Sequence, residues 1–158
     1  MTMKITDRLK AEHGVFLFQL DHLESLVHAK VPMVVLKAVV ETIATAEEHH
    51  AAMEDRLFYP SLVKAIGRDS PLLLKAEQEH EEVRKLARRV RSGACDEGTI
   101  ASFAVMLRKH LEREIHDIFA LADEMVPADE LTSLSNWDVD HLYEAIARQQ
   151  PSAETWLG

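Results

Sequence analysis

The chain of 158 residues has a single cysteine, Cys95. No internal disulfide can form, and a thiol in the loop-like run Ser92-Gly93-Ala94-Cys95-Asp96 reads as a spectator. Glycine and proline number five each, too few for a loop-rich fold. No run of about 18 apolar residues exists, so no membrane span is expected. The best apolar stretch, Met33 to Ala46, is broken by Lys37 and Glu41. The start, Met-Thr-Met-Lys-Ile-Thr-Asp-Arg, has no apolar segment of signal-peptide length. Positive charge is also scarce: 18 Lys and Arg against 27 Asp and Glu give 18 − 27 = −9. That balance argues against nucleic acid or an anionic membrane as the partner. A soluble, cytoplasmic protein is expected.

Aliphatic residues and alanine are plentiful, and one core of useful size fits this length. Histidine is abundant, with nine against two tyrosines.

Four helical patterns follow. The first runs from about Ile5 to His28, with Thr6 and Asp7 as possible caps. Its apolar positions Leu9, Val15, Phe16, Leu20, Leu23, Leu26 and Val27 recur at helical spacing. The second runs from about Met33 to Ala65, with Pro60 kinking it or ending its main part. Gly67 and Asp69-Ser70-Pro71 mark a stop and a new start. The third pattern covers about Pro71 to Arg91, and the fourth about Thr99 to Met125, stopped by Pro127. Short connections imply antiparallel neighbours, hence an all-α, up-down-up-down four-helix bundle over residues 1–127. Residues 128–158 form a short C-terminal extension. There a helix over Asp138 to Arg148, with Trp137, Leu142, Tyr143, Ile146 and Trp156, is expected to pack on the bundle.

Chemistry concentrates in two His-x-x-x-Glu pairs, His50 to Glu54 and His110 to Glu114. Residues at i and i+4 share a helix face. Imidazole and carboxylate can then reach one metal pair, and such mixed donors suit iron, manganese or zinc. A Phe follows each pair, Phe58 four residues after Glu54 and Phe119 five after Glu114.

Counting from the turns tests the convergence. From a first turn near residue 31, His13 is 18 residues before and His50 is 19 after. From a third turn near residue 95, His80 and His110 are each 15 away. Across the second turn, near residue 69, Glu54 is 15 before and His80 is 11 after. At ~1.5 Å per residue that mismatch is about one turn. One histidine per helix can meet in a single layer.

The other histidines fit bland roles. His22, nine residues from His13, faces the opposite side. His28 sits at a helix C-terminus, where positive charge is favoured. His49 points about 100° from His50. His116 is off the face of His110, and His141 belongs to the extension. Phe16, Phe18, Phe58, Tyr59, Phe103 and Phe119 are expected mostly in the core, and Tyr59 could also donate a hydrogen bond beside the metals. The basic run Arg84-Lys85 with Arg88, Arg89 and Arg91 reads as a solvated helix end.

Four segments together resemble the hemerythrin-like, or HHE cation-binding, domain. They are Ala-Glu-His-Gly at His13, Glu-Glu-His-His-Ala-Ala-Met-Glu-Asp-Arg-Leu-Phe-Tyr-Pro, Glu-His-Glu-Glu-Val-Arg-Lys-Leu, and His-Leu-Glu-Arg-Glu-Ile-His-Asp-Ile-Phe. The resemblance spans about residues 5 to 126. It implies an oxo- or hydroxo-bridged centre of two iron ions, held by His13, His50, Glu54, His80, His110 and Glu114, with the glutamates bridging. Oxygen-carrying members place two histidines one turn apart on the third helix. Here Ala76 and Arg84 flank His80 at that spacing, so the set is one histidine short, and His49 or water is left to complete it. The implied function is binding or sensing dioxygen, peroxide or nitric oxide, or buffering iron. An enzyme consuming peroxide or nitric oxide is the second reading. A ferritin-like di-iron carboxylate protein, using Glu47-x-x-His50 and Glu77-x-x-His80, is the third.

Overall fold

A computed structural model of the chain describes residues 3–93 and 95–136. Among these, all regular structure is helical. Helix α1 spans Ile5–His28. The second rod joins α2 (Met33–Met53), a π-turn (Glu54–Phe58) and α3 (Tyr59–Ile66). Helix α4 spans Pro71–Arg91. The last rod joins α5 (Glu97–Arg113), a second π-turn (Glu114–Ile118) and α6 (Phe119–Met125). A further helical run covers residues 128–136. No helix among the described residues is long and apolar enough to cross a membrane.

The boundaries have local causes. Thr6 does not cap α1. It is buried in the first turn, and its hydroxyl donates to Asp123 on α6 at 2.7 Å. Asp7 does help, accepting from the Lys4 amide at 3.3 Å. Helix α5 begins at Glu97, ahead of the expected Thr99, because Asp96 accepts from the Thr99 amide and hydroxyl, both at 2.7 Å. Helix α3 ends at Gly67, whose φ of 86° suits glycine. Pro60 does not end the rod; it stands in the first turn of α3, which runs on to Ile66. The chain instead widens just before it, and the Tyr59 amide bonds back to the Glu54 carbonyl. The Phe119 amide does the same to Glu114 where no proline follows. Proline is therefore not what both π-turns share; each opens on a glutamate of a His-x-x-x-Glu pair.

Burial divides into two apolar clusters. One joins Phe16 and Leu20 of α1, Val40 and Ile43 of α2, Val83 of α4, and Phe103 and Leu107 of α5. The other joins Ile5 and Leu9, Phe58 and Leu62, Leu73 and Ala76, Phe119 and Ala122. Removing each such large side chain from water contributes roughly 1.5–3 kcal/mol. Between them lies a layer of buried histidines and glutamates. The expected apolar stripe of α1 is too wide, since Val15 is exposed, and Phe18, expected among the core aromatics, is 73% exposed. Leu131 and Leu134 join the second cluster, so the start of the extension does reach the core. The expected helix over 138–148, with Trp137, Tyr143 and Trp156, lies outside the described residues, as does His141.

Candidate metal centre

The six side chains His13, His50, Glu54, His80, His110 and Glu114 converge in the layer between the two clusters. None is more than 6% exposed. His50 and Glu54, and likewise His110 and Glu114, stand one turn apart with Nε2 to carboxylate oxygen at 3.1 and 3.2 Å. His13 Nε2 is 3.5 Å from Glu54 and 3.4 Å from Glu114. His80 Nε2 is 3.4 Å from Glu54 and 3.8 Å from Glu114. Glu54 thus offers Oε1 to His13 and His50, and Oε2 to His80. Ligand atoms on one ion, with bonds of about 2.1 Å, stand roughly 3.0–3.4 Å apart. Two groups gather their donor atoms within 4.8 Å of one another, close to that spacing: His13, His50 and Glu54, and Glu54, His80, His110 and Glu114.

The hydrogen bonding at the outer ring nitrogens sets the donors. His13 Nδ1 lies 3.2 Å from the Leu111 carbonyl, and His50 Nδ1 lies 2.7 Å from Glu12. Both partners only accept, so both Nδ1 atoms carry the proton in the neutral rings. The two Nε2 lone pairs then face each other at 2.8 Å. That contact is unfavourable unless a positive charge lies between or beside them. The carboxylate oxygens of Glu54, Oε2 of Glu114 and both ring nitrogens of His80 are buried without a hydrogen-bond partner. Orphans this dense are costly. Bound cations would satisfy the Glu54 and Glu114 oxygens and one nitrogen of His80 together, so the donor set fits such a group.

Electrostatics agree. Burial alone would raise Glu54 and make His50 and His80 neutral. Instead the histidines hold Glu54 well below the usual carboxylate range. Glu54 and Glu12 push His50 up to about 10, and Asp55, Glu54 and Glu114 do the same for His80. Glu114, driven by burial and by the charge of Glu54, rises to about 8. Protons occupy the places where cations would neutralise the same carboxylates.

The site is built twice over. Glu12, next to His13, reaches His50 and is itself bound by Arg8 at 2.8 Å. Glu79, next to His80, lies 3.5 Å from His110 Nδ1 and pairs with Arg113 at 2.5 Å. Asp55 lies 3.5 Å from His80 Nδ1. Such carboxylates fix ring orientation and raise ligand basicity. Sequence reasoning missed all three; for Glu12 and Glu79 the available signal was the dipeptide Glu-His at 12–13 and 79–80, which also occurs at 48–49 beside the exposed His49. The aromatic match was also misaligned. Five residues after each glutamate stand Tyr59 and Phe119, both opening the helix beyond a π-turn. Phe119 packs on His13 with centroids 4.9 Å apart, and Tyr59 on His80 at 5.9 Å. Tyr59 donates its hydroxyl to Glu114. Burial and the charges of Glu114 and Glu54 raise the phenol well above its ordinary value, so the proton stays on oxygen.

His22, His28, His49 and His116 are exposed and stay outside the layer. Glu47, one turn before His50, is buried, and burial pushes its carboxyl up. Glu77 is exposed, so the two glutamates of the ferritin-like reading are not brought together.

This helical frame, with paired His and Glu side chains facing inward, defines a cation-binding helical domain. The hemerythrin HHE cation binding domain matches over residues 4–122, and the chain belongs to that family. No curated protein and no solved structure matches the chain.

Proposed function

We propose that the chain is a non-haem di-iron protein that binds or senses dioxygen, peroxide or nitric oxide, or buffers iron. His13, His50, Glu54, His80, His110 and Glu114 would hold the two ions. The four rods are read as an up-down-up-down bundle over residues 1–127, with 128–158 as an extension, in a cytoplasmic protein without a nucleic-acid partner. The observation that carries the reading is the paired layer itself: two donor groups share Glu54, and Nε2 of His13 and Nε2 of His50 face each other at 2.8 Å.

Bound iron would supply redox-active positions able to take a small ligand. The chain's own residues set the conditions. Glu12, Glu79 and Asp55 aim the imidazoles. Glu54 and Glu114 offset positive charge from two sides. Phe58 and Phe119, both fully buried, exclude water from the His13 side. Tyr59 holds a proton at its hydroxyl against Glu114.

That hydroxyl favours a second reading, an enzyme consuming peroxide or nitric oxide, since turnover needs a proton donor close by. Peroxide decay by the iron-loaded protein separates the two. Binding without turnover supports a carrier or sensor. A rate well above free iron, lost in Tyr59→Phe with iron retained, supports the enzyme. Neither binding nor turnover leaves iron buffering.

A further inference from the structure

A ligand of the buried centre needs a way in, and one cleft adjoins the centre. It encloses about 570 Å³ between the second rod and α4. Tyr59 lines it on one side and donates to Glu114 on the other. Asp55 also lines it, with Oδ1 3.5 Å from His80 Nδ1. The cleft floor is therefore one side chain away from the centre. Leu73, Leu74 and Glu77 of α4 line it too.

The other half of the centre is walled by an aromatic ring. The counterpart of Tyr59 is Phe119, fully buried, against His13 and in edge contact with Phe58 at 5.4 Å. Two other clefts, one at Phe18 and Thr42, the other at Val27 and Val105, are lined by none of the six inward side chains.

We propose that the cleft at Tyr59 is the entrance to the centre, and that a small neutral ligand enters there and reaches the His80 and His110 half first. The chemistry of the mouth selects against anions. Asp55, Asp69 and Glu77 line it with Arg68, and Arg84 pairs with Asp55 at 3.1 Å; the mouth stays net negative, so peroxide or nitric oxide passes more readily than an anion. The inference rests on the di-iron reading for its ligand, and on the protein alone for its geometry.

Two measurements test it. In the reduced, iron-loaded protein, nitric oxide association is followed by stopped flow. Leu74 lies on the cleft wall and is 45% exposed, so Leu74→Trp fills the mouth without touching the core. The expected result is association at least tenfold slower with iron content unchanged, and no change in Thr42→Trp at the far cleft. In the metal-free protein, hydroxyl-radical labelling of Tyr59 is compared with that of Tyr143. Leu74→Trp, or Val63→Trp as a second block, is expected to protect Tyr59 several-fold. Unchanged labelling in both variants, or equal slowing by Thr42→Trp, overturns the entrance. A protein that holds no iron overturns the underlying reading instead, which metal content reports separately.

Discussion

Glu12 accepts a hydrogen bond from Nδ1 of His50 at 2.7 Å, across from α1 to α2. The contact turns the opposite nitrogen, Nε2, inward as an unprotonated donor. Glu79 lies near the matching nitrogen of His110, at 3.5 Å, an ion-pair distance rather than a hydrogen bond. Partners of this kind are worth about 10–100-fold in metal affinity. Glu12→Gln is therefore expected to weaken iron binding by about that factor, with helical content unchanged. Competition against a chelator of known affinity measures it; binding within twofold of the parent would show that Glu12 does not orient the ligand.

Glu54 gives a prediction that separates the metal-free from the iron-loaded protein. Without metal, the histidines around it hold the carboxylate ionised, and removing one partner from a buried charged set is costly. Glu54→Gln should therefore lower the stability of the metal-free protein. With iron present the parent should gain further, because a ligand at a thousand times its dissociation constant adds about 4.1 kcal/mol, and the variant should gain less. Thermal melts with and without iron show whether the gap between the two proteins widens. The same gap in both conditions would count against a metal at Glu54.

The convergence of the six inward side chains was readable because helix period and distance from each turn are linear properties of the chain. The outer carboxylates were not, because Glu12 and Asp55 act on histidines of neighbouring helices. The π-turns were hidden too. Spacing within His50-x-x-x-Glu54 stays helical, and only the aromatic five residues on, Tyr59 or Phe119, records the extra residue. Periodicity placed Val15 in the core stripe of α1, yet it cannot say how wide a stripe the neighbouring helices cover.

Asp123 ties the start of α1 to α6, accepting from Thr6, from Lys10 at 2.8 Å and from Lys4 at 3.3 Å. Burial would raise its carboxyl, but Lys10, Thr6 and Lys4 hold it below the ordinary value of 3.8. A depressed carboxyl stabilises the fold above its unfolded pKa, and that contribution is lost as pH falls through the folded value. Asp123→Asn should therefore cost roughly 1 kcal/mol near neutral pH, allowing for partial exposure. The difference should close as pH drops below about 4. A gap in melting temperature that persists at pH 2 would assign the loss to packing instead.

Phe103 is fully buried in the apolar cluster of α1, α2, α4 and α5. Truncation to alanine removes its transfer energy and leaves a cavity, together costing about 3–5 kcal/mol. Urea unfolding should show that loss, while iron per folded chain stays the same. Loss of iron at unchanged stability would mean that this cluster positions the metal layer directly.

The most direct test of the di-iron centre is metal content, read with the optical spectrum, on protein from its own source and on His50→Ala and His110→Ala. The expected result is two irons per chain with ferric charge-transfer absorption in the parent, and loss of iron with a changed spectrum in each variant. Sub-stoichiometric metal in the parent, unaltered by either substitution, would contradict it.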